Sequence, residues 1–176
     1  NEAKLLRNVF EQGDCWFRTG DLMRCDKQRY FYFVDRIGDT FRWKSENVST
    51  TQVEQQLSVY SDIELVSVYG VKIPQHEGRA GMAALTMRPS CEFDAKAFYT
   101  IVMDSLASYA QPQFVRVCAQ MDMTETFKLR KIDYQRQGYN PAVFSDQLFV
   151  LDKANKTFSA YSVALLTVLG MTEYEN

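Results

Sequence analysis

Side chains able to perform acid–base, nucleophilic or metal chemistry are few in this chain and widely spaced. The single histidine, His76, stands in a glycine-flanked polar loop, where a lone imidazole is typical of an ordinary loop residue. The four cysteines form no C-x-x-C pair, and with one histidine the chain cannot assemble a Cys/His cluster, so a structural zinc site is excluded. The cysteines are expected to be buried free thiols. The sequence also lacks a glycine-rich phosphate loop and a G-x-S-x-G nucleophile elbow. Residue spacing alone therefore leaves the function open.

Composition excludes several classes of function. The 176 residues include 20 basic and 22 acidic side chains, and the net charge of −2 is unsuited to a nucleic-acid binder or a polybasic membrane patch. Hydrophobic residues make up 46% and aromatic residues 14% of the chain, which indicates a globular fold with a ring-rich core. The longest apolar run, at residues 163–171, is too short to span a bilayer.

Periodicity predicts strands and helices from residue 30 onward. Residues 30–34 and 40–44 have the aromatic or alternating pattern of strands. Ser49 and Gln52 form the capping box of a first helix, and Asp94 is predicted to cap a second. Three further strands are predicted at residues 63–71, 82–87 and 114–118, with a short helix at residues 129–137. The tail adds an apolar stretch at residues 148–151, a turn at residues 152–156 and a modest apolar helix.

These elements predict an α+β fold with a small three-stranded sheet, packed helices and a β-hairpin, preceded by the tail end of a larger missing domain. Near the start, apolar spacing between Leu5 and Phe10 predicts a short helix, and residues 15–18 a strand. Since Asn1 is not an initiator Met, we expect a piece of a longer protein. The expected domains are residues 1–37, the end of the upstream domain, residues 38–140, the α+β domain, and residues 141–176, an extension packed on it.

One longer string is specific enough to suggest a family. Thr19-Gly20-Asp21 is followed, fifteen residues later, by Arg36-Ile37-Gly38-Asp39-Thr40-Phe41-Arg42-Trp43-Lys44-Ser45-Glu46-Asn47. Together with residues 68–71, 77–83, 108–112 and 124–131, it resembles the adenylate-forming enzymes. More narrowly, it is similar to the branch of very-long-chain acyl-CoA synthetases and fatty acid transport proteins. The string at residues 41–44 favours this branch over luciferase-like or peptide-synthetase modules, and the resemblance covers residues 15–155.

The resemblance implies a fold and an activity for the longer protein. Residues 1–37 would end the large N-terminal adenylation domain, and residues 38–140 would form the mobile C-terminal domain. The implied reaction joins a long-chain or very-long-chain fatty acid to CoA through an acyl-adenylate made from ATP. The phosphate loop, the acyl tunnel and the Mg²⁺ site would lie upstream. We therefore expect no metal site in this chain, and no activity from this chain alone.

The resemblance also assigns roles to individual residues. Asp21 matches an aspartate that binds the ribose hydroxyls of ATP or AMP through its two acceptor oxygens. Arg36 matches an arginine that reaches sugar and phosphate oxygens of the same nucleotide. A turn-forming aspartate and an arginine paired with a neighbouring acid are the alternative interpretations. Lys128 matches the catalytic lysine, whose ammonium would offset the charge that builds at the α-phosphate, and Arg130 and Lys131 are the alternatives if the register is shifted.

Gly38 matches the hinge of the mobile domain. A large change in φ and ψ has the least steric cost at glycine, and a tight turn is the alternative interpretation. After adenylation the domain would rotate and present its other face to CoA. The residues implied to line the path of the CoA pantetheine arm are Trp43, Lys44, Ser45, Glu46 and Asn47.

Two residues depart from the pattern of this branch, because Ser45 and Glu125 stand where it usually has glycine. The hydroxymethyl group of Ser45 could narrow the CoA path, and Glu125 could tether Lys128 or lower its effective charge. Two hypotheses therefore remain. One is a divergent but active ligase, and the other is a catalytically weakened member that serves mainly fatty-acid uptake or scaffolding.

The resemblance finally implies partners and a location. The expected partners are the fatty acid, ATP, CoA and the upstream domain of the same chain, and a homodimer is compatible with them. No nucleic acid is expected. The fragment is expected to be soluble, whereas upstream segments would attach the longer protein to the cytosolic side of the endoplasmic reticulum, peroxisome or plasma membrane.

Overall fold

The computed structural model of the chain describes residues 4–36, 40–121 and 131–173, with backbone alone for Leu22 and residues 34–36. It separates into two units, Asn1–Gly38 and Asp39–Asn176. In the described part, the first unit consists of two antiparallel hairpins. These are β1 (Leu5–Arg7) with β2 (Cys15–Phe17), and β3 (Asp21–Cys25) with β4 (Phe31–Arg36).

The start of the chain forms a strand where apolar spacing predicts a helix, so that prediction is wrong, whereas the strand predicted at residues 15–18 is confirmed. The reason lies in the loop between β1 and β2. The Asp14 carboxylate accepts hydrogen bonds from the backbone N–H groups of Val9, Phe10 and Glu11, at 2.8, 2.9 and 3.1 Å. A side-chain acceptor thus holds these donors in a loop and competes with helix formation.

The second unit begins with a hairpin of β5 (Thr40–Trp43) and β6 (Glu46–Ser49), which leads into helix α1 (Thr50–Leu57). A five-stranded sheet follows. Its strands are β7 (Ile63–Val71), β8 (Ala80–Met87), β9 (Phe114–Val117), β10 (Gln147–Asp152) and β11 (Thr157–Ala160). They lie in the order β11-β10-β9-β8-β7, antiparallel except for the parallel pair β8–β9.

The predicted α+β class is confirmed, and the sheet is larger than predicted. It has five strands instead of three, because the C-terminal segment contributes β10 and β11, which extend the sheet beyond β9. Antiparallel pairing of β10 with β9 places Phe149 opposite Val115 and completes the main-chain hydrogen bonds of β9 on that side. Two strands of the predicted extension, β10 and β11, thus belong to the same sheet as the preceding strands.

The remaining helices are α2 (Ala95–Ser105), α3 (Lys131–Gln137) and α4 (Val163–Val168). Both predicted N-caps are confirmed. The Ser49 hydroxyl accepts a hydrogen bond from the Gln52 backbone N–H at 3.3 Å, and Asp94 accepts from two backbone N–H groups at the start of α2. The core is rich in rings, as predicted. Phe98 on α2 packs against Phe158 on β11 with ring centroids 5.4 Å apart.

The β5–β6 hairpin is seated on the sheet by a pair of glycines. Gly70 on β7 lies directly opposite Gly81 on β8, and the buried ring of Phe41 lies over both. A Cβ atom at Gly70 would lie 2.5 Å from Cβ of Phe41, and one at Gly81 would lie 3.1 Å from the far end of its ring. The two glycines therefore leave a groove that any side chain would fill.

The turn between β5 and β6 contains two residues in the left-handed region. Lys44 has φ 51° and Ser45 has φ 66°, as a two-residue hairpin turn of type I′ requires. Neither residue is a glycine, which is the residue that adopts this conformation most readily. The backbone conformation at position 45 would therefore favour a glycine over Ser45.

We expect Gly70→Ala to lower the free energy of unfolding by about 1–3 kcal/mol, because the new methyl group would displace Phe41 from its groove. Urea denaturation of the 176-residue chain measures this loss. Gly81→Ala is the matched control, with a smaller expected loss because its contact is with the tip of the ring. A Gly70→Ala chain within 0.5 kcal/mol of wild type would show that the groove does not hold the hairpin.

We expect Ser45→Gly to raise the free energy of unfolding by about 0.5–1 kcal/mol, since it removes a Cβ from a left-handed backbone. The control is Ser58→Gly, because the φ of −67° at Ser58 suits any residue. Thermal denaturation monitored by circular dichroism compares the two variants. A Ser45→Gly chain no more stable than Ser58→Gly would contradict strain at the turn.

Candidate functional site

Two residues assigned to nucleotide binding lie opposite each other in the first unit. Asp21 on β3 is the register partner of Arg36 on β4, and such antiparallel partners have Cα atoms about 4.5–5.5 Å apart. The turn before Asp21 depends on Gly20, with φ 84°, and on the Thr19 hydroxyl, which accepts the Asp21 backbone N–H at 3.1 Å. The hairpin therefore brings both residues to one end of two paired strands.

Several other residues singled out by the sequence lie outside the described residues. They are the predicted hinge Gly38, the predicted catalytic lysine Lys128, and the neighbouring Glu125 and Arg130. Their roles stay predictions. The division of the chain into two units falls directly after Gly38.

Lys131, one alternative to Lys128, is engaged by other elements of the fold. Its ammonium lies 2.8 Å from the Glu54 carboxylate and donates to the Thr50 hydroxyl at 2.9 Å. The same Glu54 oxygen accepts the Val68 backbone N–H at 2.7 Å. Lys131 thus joins the start of α3 to α1 and β7. Contacts of this kind indicate a structural role for Lys131.

The five residues assigned to the CoA path all lie in the β5–β6 hairpin. Trp43 is buried, and the side chains that follow, from Lys44 to Asn47, are exposed at and beside the turn. The Trp43 ring stacks on His76, with centroids 6.1 Å apart and planes at 30°. No residue in the described ranges accepts a hydrogen bond from the indole nitrogen of Trp43.

The loop that carries His76 fits closely against this hairpin. The Arg79 backbone N–H donates to the Arg42 carbonyl at 2.7 Å. Gly78, with φ 82°, lies so near the same carbonyl that a Cβ atom there would collide with it. A glycine is needed at this position for its backbone conformation and for the close approach. The glycine-flanked loop noted in the sequence is thus a support for Trp43.

A cavity of about 440 Å³ opens beside the hairpin turn. Its lining includes Trp43, Lys44 and His76, together with Lys153, the first residue after β10. Sequence reasoning missed Lys153, since it lies in the predicted extension, more than a hundred residues from Lys44. No local signal marks it, because the pairing of β10 with β9 is what brings it to this edge of the sheet.

One thiol of the described part of the chain is held in its protonated, unreactive form. Burial raises the pKa of the Cys118 thiol to about 12, so this cysteine stays protonated at neutral pH. The expectation that all four cysteines are buried is wrong, because Cys118 is buried, Cys91 is half-buried, and Cys15 and Cys25 lie exposed on the hairpins of the first unit. Within the described ranges, no group of three or more His, Cys, Asp or Glu residues can hold a metal ion. No helix there is long and apolar enough to cross a membrane.

Comparison with known proteins identifies the relatives of the chain, although no family model matches it. The chain is 45% identical to human long-chain fatty acid transport protein 3 over 168 residues, which is 96% of this chain and 25% of that protein. It is 48% identical to the medium/long-chain-fatty-acid–CoA ligase FadD6 of Mycobacterium tuberculosis over 161 residues, 92% of this chain and 27% of that protein.

A solved structure agrees with this result. A fatty acyl CoA synthetase of Mycobacterium tuberculosis matches 74% of this chain and 25% of its own, at a TM-score of 0.57 and 25% identity. The chain spans about a quarter of the length of the curated relatives it matches, in their C-terminal part. The chain therefore belongs to the family of fatty acid transport proteins and fatty acyl-CoA ligases, within the AMP-binding ligase superfamily.

Proposed function

We propose that the chain is the C-terminal part of a ligase that activates long-chain or very-long-chain fatty acids with ATP and transfers the acyl group to CoA. The observation that carries the proposal is the position of Asp21 opposite Arg36 across the β3–β4 hairpin. An aspartate can accept hydrogen bonds from both ribose hydroxyls, and an arginine at the register position opposite it is suited to a phosphate of the same nucleotide. The ligase among the relatives, FadD6, supports the same reaction.

In the first half-reaction, the fatty acid carboxylate attacks the α-phosphate of ATP and pyrophosphate leaves. Two anions approach each other, and further charge builds at phosphorus in the transition state. Asp21 and Arg36 are proposed to hold the nucleotide in place. The ammonium of Lys128 is proposed to offset the charge at the reacting centre, an effect worth roughly 10²-fold or more in rate.

In the second half-reaction, the CoA thiol attacks the acyl carbonyl of the acyl-adenylate, and AMP leaves. The exposed tip of the β5–β6 hairpin is proposed to line the path by which the pantetheine arm arrives. Rotation at Gly38 is proposed to bring this hairpin to the acyl-adenylate. The division of the chain into two units directly after Gly38 supports the proposal.

The upstream domain is proposed to cover the first unit. Large apolar side chains are exposed there, and burying them would contribute a hydrophobic interface. The most exposed are Phe10, Trp16, Phe17, Tyr30, Phe31 and Phe33. Mg²⁺ is proposed to bind upstream, as the resemblance to the adenylate-forming enzymes implies for the longer protein. Membrane association of the longer protein, also through upstream segments, is proposed from the names of the transport-protein relatives.

The alternative function is a catalytically weakened family member that serves mainly fatty-acid uptake or scaffolding. The structure around Ser45 gives no support for it. The side chain of Ser45 is exposed, and its left-handed φ indicates a cost in stability. Such a cost leaves the chemistry of Asp21, Arg36 and Lys128 unchanged. We therefore propose an active ligase.

In the full-length protein, we expect Lys128→Ala to lower fatty-acid-dependent pyrophosphate release by about 10²-fold or more. Thioester formation from supplied acyl-adenylate and CoA should be largely retained, because the proposed lysine acts before CoA arrives. Both half-reactions are measured on the purified protein. The 176-residue chain by itself should release no pyrophosphate.

Lys96→Ala is the matched control, since it removes one exposed positive charge on α2. It should leave both half-reactions unchanged. Equal loss of the two half-reactions in Lys128→Ala would refute the assigned role of this lysine. A full-length wild-type protein that releases no pyrophosphate with any fatty acid would refute the proposed function itself.

We expect Gly38→Pro to separate the two half-reactions. Proline fixes φ near −65° and restricts the residue before it, which removes the rotation that the hinge needs. Acyl-adenylate formation should stay measurable. The rate of thioester formation should fall more than tenfold, which corresponds to an increase of over about 1.4 kcal/mol in the activation barrier. Gly38→Ala, which leaves φ free to change, should have a smaller effect. A folded Gly38→Pro protein with both rates within twofold of wild type would show that Gly38 is an ordinary turn residue.

A further inference from the structure

Two turns of the second unit meet at the cavity beside Trp43. One is the β5–β6 turn with Lys44, and the other is the turn between β10 and β11, which begins at Lys153. Rings of Trp43 and His76 form part of the wall. The cavity volume of about 440 Å³ is within the range of small-molecule sites, and its two lysines belong to segments far apart in sequence.

Lys153 is held in position by buried polar groups. Its ammonium donates to the side-chain oxygen of Gln111 at 2.8 Å, and the amide of the buried Gln111 donates to the Leu106 carbonyl at 3.1 Å. The turn that carries Lys153 is itself fixed, because the buried Asp152 accepts two hydrogen bonds from Asn155. The positive charge at this edge of the cavity is therefore pre-organised.

The charges around the cavity favour an anion. In the part of the chain that the structure describes, neither Lys44 nor Lys153 forms an ion pair with a carboxylate. Burial lowers the pKa of Lys153, and the positive charge of Lys44 lowers it further, which indicates that the two ammonium groups repel each other. Glu77 is the acidic residue in the lining. A bound anion would relieve this repulsion between the lysines.

We propose that this cavity binds a phosphate group of CoA, with Lys44 and Lys153 as the binding cations. The proposal rests on the proposed function, because CoA is the phosphate-bearing substrate that the β5–β6 hairpin would meet. A lysine ammonium is a compact point charge suited to phosphate oxygens. Lys153 lies in the segment that the sequence predicts as an extension. In this proposal it is a binding residue that selects CoA, which carries phosphate groups, over pantetheine, which carries none.

Calorimetric titration of the 176-residue chain tests this proposal. The probes are CoA, 3′-dephospho-CoA, pantetheine, AMP and inorganic phosphate. We expect Lys44→Gln and Lys153→Gln each to raise the Kd for CoA at least fivefold, because each removes one cation from the cavity. Lys153→Gln should not change the affinity for pantetheine, which carries no phosphate. A larger effect on CoA than on 3′-dephospho-CoA would assign the cavity to the 3′-phosphate, and equal effects would assign it to the diphosphate.

Lys156→Gln is the matched control. Lys156 is exposed in the same β10–β11 turn, and it is absent from the lining of the cavity. The control variant should bind CoA within twofold of wild type. If Lys153→Gln binds CoA as tightly as Lys156→Gln does, the proposal is overturned. It is also overturned if the lysine variants weaken the binding of AMP or inorganic phosphate while the binding of CoA is unaffected. A wild-type chain that binds no CoA would overturn it as well.

The proposed ligase function is judged separately, by acyl-CoA formation in the full-length protein. A full-length enzyme that makes acyl-CoA equally well with Lys153→Gln and Lys156→Gln at limiting CoA would overturn this inference and leave the ligase function intact. An enzyme that makes no acyl-CoA, although its C-terminal chain binds CoA through Lys153, would overturn the function and leave the phosphate site intact.

Discussion

The absence of side chains at Gly70 and Gly81 is the constraint on which the second unit depends. Because these glycines face each other across β7 and β8, Phe41 can lie directly on the sheet and bring the β5–β6 hairpin with it. The burial of Trp43 and the position of the Lys44–Ser45 turn follow from that contact. The hairpin is consequently a rigid support for residues that are proposed to meet CoA, in agreement with the general need to hold binding residues on well-packed elements.

Ionic and polar contacts distinguish two lysines of this unit. Lys131 is paired with Glu54 and joins α3 to α1, so its charge is neutralised within the fold. Lys153 is held by the neutral oxygen of Gln111, which fixes its position and leaves its positive charge uncompensated. The second arrangement is suited to binding an external anion, because the charge is oriented in advance and still available.

The two units differ in how completely they bury their apolar residues. The second unit has a continuous core in which the rings of Phe98, Phe114 and Phe158 are fully or almost fully buried. The hairpins of the first unit expose Phe10, Phe31 and other large side chains. This contrast agrees with a chain that spans about a quarter of its curated relatives, and it supports the proposal that the first unit packs against upstream residues.

The sequence by itself determined the family, the α+β class, both helix N-caps and the strand at Ile63–Val71, because these depend on local motifs and periodicity. The positions of Asp21 and the hairpin residues could be named from their motif, but their geometry could not. Only the tertiary structure decided that Asp21 lies opposite Arg36, that β10 and β11 join the sheet, and that Lys153 shares a cavity with Lys44. The physical reason is that strand pairing over long sequence separations depends on packing, and no local pattern encodes which distant residues it brings together.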